Sequence, residues 1–122
     1  MKKIVVIDDD NDLREMVKFL LEREGFEVLA TGDGNQGIKF VSENNPALLI
    51  TDILMPDKEG LEIINEIRQR GLNMKILAVS GGGVIEASHY LSLANGLGAD
   101  KVLPKPFHNA ELLKAIKDLI VD

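Results

Sequence analysis

The sequence predicts a single α/β domain: a doubly wound sheet of five parallel strands, in the spatial order 2-1-3-4-5, with five helices covering its two faces. Three observations carry that expectation. Short apolar runs alternate with longer amphipathic stretches along the whole chain. The runs lack the polar alternation of a half-exposed strand, as expected of strands buried on both faces. Finally, 122 residues with 45% hydrophobic content suit one core, so residues 1–122 are assigned to one domain.

The expected strands are residues 4–7, 26–30, 47–51, 76–79 and 101–103, the last short enough to be an edge. Between them, apolar residues recur at the 3.6-residue period of a helix. Leu13, Met16, Val17, Leu20 and Leu21 mark the first helix, with Gly25 as its stop. Ile38 and Val41 mark a weaker second helix, from about residue 35 to 43. Leu61, Ile64 and Ile67 mark the third, ending before Gly71. Ile85, Ser88, Leu91 and Ala94 mark the fourth, closed by Gly96 and Gly98. Leu112, Leu113, Ile116, Leu119 and Ile120 mark the fifth. Strand followed by helix, five times over, calls for a parallel sheet joined by right-handed crossovers.

Composition narrows the function. A net charge of −6 argues against direct nucleic-acid binding, which needs a basic surface to neutralise phosphates. With no cysteine, disulfides, thiolate chemistry and cysteine zinc sites are excluded. No apolar stretch approaches the roughly 20 residues of a membrane helix. The start, Met1-Lys2-Lys3 before a short apolar run, is not a signal peptide, so the cytoplasm is the expected location. Aromatic residues make up only 4% of the chain, so the core has to be aliphatic.

The informative residues stand at strand ends. The first strand runs into Asp8, Asp9 and Asp10, and the third into Thr51-Asp52. Ligands of open parallel sheets sit beyond the carboxyl ends of strands, where the strand order reverses. In the order 2-1-3-4-5 that point lies between strands one and three, so the two acidic groups should face each other. Packed carboxylates repel unless a hard cation neutralises them. Magnesium suits them, taking one or two carboxylates together with water and phosphate oxygens. A calcium loop at residues 8–12 is disfavoured, because the required glycine and distal glutamate are missing. Helix capping explains one of these acids, Asp10 or Asn11, but not an acidic pair against a strand end.

Strand four ends at Ser80 before three glycines, and strand five before Leu103-Pro104-Lys105-Pro106. Ser80 offers a hydroxyl and Lys105 a point charge to a phosphoryl group. The two prolines restrict the segment, and a cis bond before Pro106 would aim Lys105 inward. A carboxylate is a competent nucleophile toward phosphorus, giving an acyl phosphate. Remaining polar residues are assigned bland roles. His89 and His108 fit no metal spacing, Tyr90 reads as helix packing and Phe107 as core. Glu59, Glu62 and Glu66 with Lys58, Arg68 and Arg70 read as a solvated face of the third helix.

This ordered set resembles the receiver domain of bacterial two-component response regulators, a family with a flavodoxin-like fold, over residues 3–121. The marks are Ile7-Asp8-Asp9, Thr51-Asp52, Met55-Pro56, Gly60-Leu61, Ser80 and Lys105-Pro106-Phe107. The resemblance implies that Asp52 accepts the phosphoryl group and that Ser80 shifts toward it. It implies that Lys105 bridges the phosphoryl group and an acidic residue. Mg2+ would be held by Asp8, Asp9, Asp52 and the backbone carbonyl of Leu54. The phosphodonor would be a phosphohistidine on a sensor histidine kinase or a phosphotransfer protein. A stand-alone switch rather than an enzyme is expected, with output through a protein partner at helix four, strand five and helix five, or by onward relay. Whether phosphorylation also pairs two copies is left open.

Two departures from the family pattern stand out. Val102 occupies the position three before the lysine where many receivers carry Tyr or Phe. Leu54 and Gly82, two after Asp52 and Ser80, have no polar side chain to position an attacking water, which predicts slow loss of phosphate. The competing reading is a haloacid-dehalogenase-like phosphatase with Asp8 as nucleophile and Asp10 as acid/base. Against it, Asp12 stands where Thr or Val is usual, and the late acidic metal motif is missing. A flavin-binding domain is set aside, because the acidic triplet would repel a flavin phosphate.

Overall fold

A computed structural model describes residues 2–53, 60–80, 96 and 98–120. The chain begins with β1 (Lys3–Ile7), α1 (Asn11–Arg23), β2 (Glu27–Thr31) and α2 (Gly34–Asn44). It continues through β3 (Leu48–Asp52), α3 (Gly60–Gln69), β4 (Lys75–Ser80), β5 (Lys101–Pro104) and α4 (Asn109–Leu119). The last of these is the fifth helix of the sequence reading. The predicted fourth, on Ile85, Ser88, Leu91 and Ala94, lies outside the described residues, as does Leu54.

All five strands pair in parallel, in the order β2-β1-β3-β4-β5. This is the expected topology, with β2 and β5 as edges. Observed strands differ from the sequence reading by a residue at their ends. The shift matters in two places: Asp52 is the last residue of β3, and Ser80 the last of β4.

The sheet sorts its side chains by parity, because successive residues of a strand point to opposite faces. On one face Val5, Ile7, Leu49, Ile76 and Ala78 pack against Ile38 and Val41 of α2 and Ile63, Ile64 and Ile67 of α3. On the other, Ile4, Val6, Leu48, Ile50, Leu77 and Val79 pack against Val17 and Leu21 of α1 and Leu112, Ala115 and Ile116 of α4. The core is aliphatic, as the scarcity of aromatics required, and Phe107 joins its second face half-buried.

Helix ends follow the local chemistry. Asp10 is the N-cap of α1, its side chain accepting from the Leu13 amide at 3.2 Å, which decides between the two candidates. Gly25 ends the helix with φ +93°, a conformation that glycine adopts without steric cost. The solvated face assigned to the third helix needs correction at Arg68. Its guanidinium reaches across to the carbonyls of Leu72, Met74 and Gly98 and to Asp100, tying the end of α3 to the entry of β5. Arg70, two residues on, is exposed and pairs with Glu66 at 2.7 Å. Among the described residues no helix is long and apolar enough to cross a membrane.

Candidate functional site

Parallel registration brings the strand ends to one edge. Ile7 lies beside Thr51, Asp52 beside Val79, and Ser80 beside Pro104. The residues at or just after these positions therefore meet at the carboxyl edge of the sheet. Asp8, Asp52 and Ser80 are 3%, 5% and 0% exposed, whereas Asp9 stands at the surface. One carboxylate oxygen from each of Asp8, Asp9 and Asp52 lies within 4.8 Å of the others. The two acidic segments predicted to face each other do so.

Asp8 is fixed on every side. Its amide donates to the Thr31 carbonyl at 3.1 Å, continuing the β1–β2 pairing one residue past the strand. Its Oδ1 accepts from the Asp10 amide at 2.9 Å, and its Oδ2 from Lys105 Nζ at 2.7 Å. Its carbonyl accepts from Arg14 Nη1 at 2.8 Å. Asp10 is turned to capping α1, so it does not share the cluster of Asp8, Asp9 and Asp52.

Lys105 reaches this cluster from beyond β5. Its amide donates to the Ser80 carbonyl at 2.7 Å, holding it against the end of β4. The Lys105–Pro106 bond is cis, the isomer the sequence suggested. The ammonium lies 2.7 Å from Asp8 and 3.1 Å from Asp52, with the side chain only 17% exposed. Burial pulls the Lys105 pKa down, but the hydrogen bond and charge of Asp8, joined by those of Asp52, outweigh it and raise the pKa above its ordinary value. The lysine is therefore a fixed cation among the carboxylates.

The other expected residues fall as follows. Val102 is half-buried against the α2–α3 face of the core. His108 precedes α4, its amide donating to Glu111 Oε1 at 2.9 Å, and it is no part of the acidic cluster found among the described residues. Leu54, Gly82, His89 and Tyr90 lie outside the described residues. Arg14 is the neighbour that the sequence did not single out. Its only signal is an arginine one turn into α1, which hydrophobic periodicity treats as surface.

A flavodoxin-like sheet with an acidic cluster at its carboxyl edge, and a lysine bonded to two of its aspartates, is the arrangement expected of a receiver domain. The chain belongs to the response regulator receiver domain family of two-component systems, whose family model matches residues 4–117. It is 38% identical over 120 residues to the transcriptional regulatory protein CpxR of Klebsiella pneumoniae, and 37% to that of Escherichia coli. Each match covers 98% of this chain and 50% of the relative, so the chain spans about half the length of these curated relatives. Among solved structures, a receiver domain protein from Clostridium thermocellum is 34% identical, with a TM-score of 0.88 and coverage of 98% of this chain and 94% of that one. The response regulator TrrA from Thermotoga maritima, solved in complex with Mg2+–BeF, is 36% identical, with a TM-score of 0.85 and coverage of 98% and 100%.

Proposed function

We propose that this domain accepts a phosphoryl group on Asp52 from a phosphohistidine of a sensor histidine kinase or phosphotransfer protein, in a Mg2+-dependent reaction. The observation that carries the reading is the meeting of Asp8, Asp9 and Asp52 within 4.8 Å, with Lys105 bonded to two of them. Three carboxylate oxygens, two of them on buried aspartates, are the hard donors that Mg2+ prefers. Asp8, Asp9 and Asp52 would hold the ion, with the Leu54 carbonyl as a further ligand carried over from the family. When bound, the ion supplies positive charge to the phosphoryl oxygens.

The chain's own residues do the rest. An Asp52 carboxylate oxygen forms a bond to phosphorus as the P–N bond to the donor imidazole breaks. The departing nitrogen keeps the bonding pair and takes up a proton. Lys105 leaves Asp52 for the new phosphoryl oxygens while keeping its bond to Asp8, and the Ser80 hydroxyl donates to the same group. Both are fixed to the end of β4, so the presence of phosphate is felt where β4 and β5 meet. Output follows through a protein partner at the face that β5 and α4 share with the predicted fourth helix, or by onward relay, in the cytoplasm. With Val102 on β5, the readout works without an aromatic side chain at that position.

Intact mass after incubation with Mg2+ and acetyl phosphate tests the reading. One added phosphoryl group in the wild type, lost in Asp52→Ala, is expected. Modification that persists in Asp52→Ala but needs Asp8 would replace this reading with the phosphatase-like one.

A further inference from the structure

We propose that Arg14, lying in the space that Gly32 leaves open, is a positioning residue for the divalent-cation site; the inference rests on the function proposed above. Nη1 of Arg14 donates to the Asp8 carbonyl at 2.8 Å, and Nη2 to Asn11 Oδ1 at 2.6 Å. The Asp8 carbonyl and the Asp9 amide share one rigid peptide plane. Holding that oxygen therefore fixes the direction in which the chain leaves Asp8 for Asp9. The other anchors of Asp8 act on its amide and its carboxylate. Arg14 alone among these contacts acts on the link to Asp9, the one carboxylate of the three that burial does not hold in place.

Gly32 follows β2 and faces this contact. A Cβ built there would stand 2.8 Å from Arg14 Nη1, but at an ordinary 3.5 Å from the Asp8 carbonyl and from Asp9 Cα. A methyl group at residue 32 would thus meet only the end of a flexible side chain. It would push the guanidinium away by up to about half an ångström, stretching and weakening the bond to Asp8 while leaving the backbone undisturbed. Gly32→Ala weakens the contact and keeps the charge, whereas Arg14→Met removes both. The pair separates positioning from simple electrostatics.

The test is Mg2+ affinity of the full chain by calorimetry, with no phosphodonor present, for wild type, Gly32→Ala, Arg14→Met and the double variant. Thermal unfolding of each fixes a temperature at which all are fully folded, so a merely stabilising arginine would leave the affinity unmoved. Removing outer contacts of metal ligands typically weakens binding about 10-fold or more. Arg14→Met is expected to show a loss of that order, and Gly32→Ala a smaller loss in the same direction. The double variant is expected to bind no more weakly than Arg14→Met, because both changes act through one contact. Arg14→Met binding as tightly as wild type, or more tightly as loss of a positive charge beside a cation site would by itself produce, would overturn the inference, and so would Gly32→Ala binding as wild type. Should Arg14→Met fail to fold, Gly32→Ala decides alone. A wild type that binds no divalent ion would overturn the proposed function and this inference together, an outcome distinct from wild-type binding with unaffected variants.

Discussion

Arg68→Ala should destabilise the fold far more than Arg70→Ala, though the two arginines stand two residues apart on a stretch that reads as one charged surface. Arg68 makes five hydrogen bonds: two to the Gly98 carbonyl at 2.9 and 3.1 Å, and one each to Leu72 at 3.0 Å, Met74 at 2.8 Å and Asp100 at 2.9 Å. Its side chain is 25% exposed, so water can partly replace the lost donor, and each bond counts near the low end of about 0.5–1.5 kcal/mol. Asp100 adds to the loss, because its Oδ2 also accepts the Ile76 amide at 2.8 Å and so connects the guanidinium to β4. The five bonds share one side chain and do not add fully, which gives about 2 kcal/mol for Arg68→Ala. For a domain of this size that is roughly 5–10 °C in Tm. Arg70 makes an exposed i,i+4 pair with Glu66 and a bond to Ser42, and its removal should cost about 0.5 kcal/mol or less. Urea unfolding followed by far-UV circular dichroism measures both. Equal losses for the two variants, or an Arg68→Ala loss below about 1 kcal/mol, would show that the network across α3, β4 and β5 does not hold the fold as argued.

Other perturbations follow from the same geometry. In Gly60→Ala the new methyl would overlap the Asp52 carbonyl and the Ile53 backbone, which cannot give way. A net loss of about 1–3 kcal/mol is expected despite alanine's better helix propensity, and an unchanged urea midpoint would refute it. The Asp8 and Asp52 carboxylates raise the folded pKa of Lys105, so its ammonium adds stability that is complete below the ordinary lysine value of about 10.4 and is lost as pH rises through the folded value. In chelator, wild type should therefore lose stability faster than Lys105→Met in strongly alkaline solution, and parallel profiles would contradict this. Leu54→Asn should shorten the lifetime of the phosphoryl group by placing a polar side chain two residues after Asp52, as followed by intact mass after removal of phosphodonor. Retention as long as in wild type would count against the slow-loss reading.

Much of the fold is legible in the residues because burial imposes a local code. Strands covered on both faces must be continuously apolar, and their helices must show one apolar stripe, so both periods are visible in a few residues at a time. The carboxyl edge was legible for a related reason: Asp8, Asp52, Ser80 and Lys105 each stand at or just past a strand end, and a parallel sheet brings all such ends together. The helix start was narrowed to two residues, and only the bond from Leu13 to Asp10 decided between them.

The sequence by itself thus determined the strand and helix order, the aliphatic core and the acids and base that meet at one edge, because each is set by neighbours along the chain. The tertiary structure alone decided which charged side chains are solvated and which are tied in. Arg68 and Arg70 have the same local surroundings, but only Arg68 points to where Gly98 and Asp100 arrive, some thirty residues later. Likewise nothing beside Arg14 in the chain announces that Gly32 will open a path for it over the Asp8 carbonyl. Such contacts depend on distances between elements that are far apart in sequence, and those distances exist only once the sheet has closed.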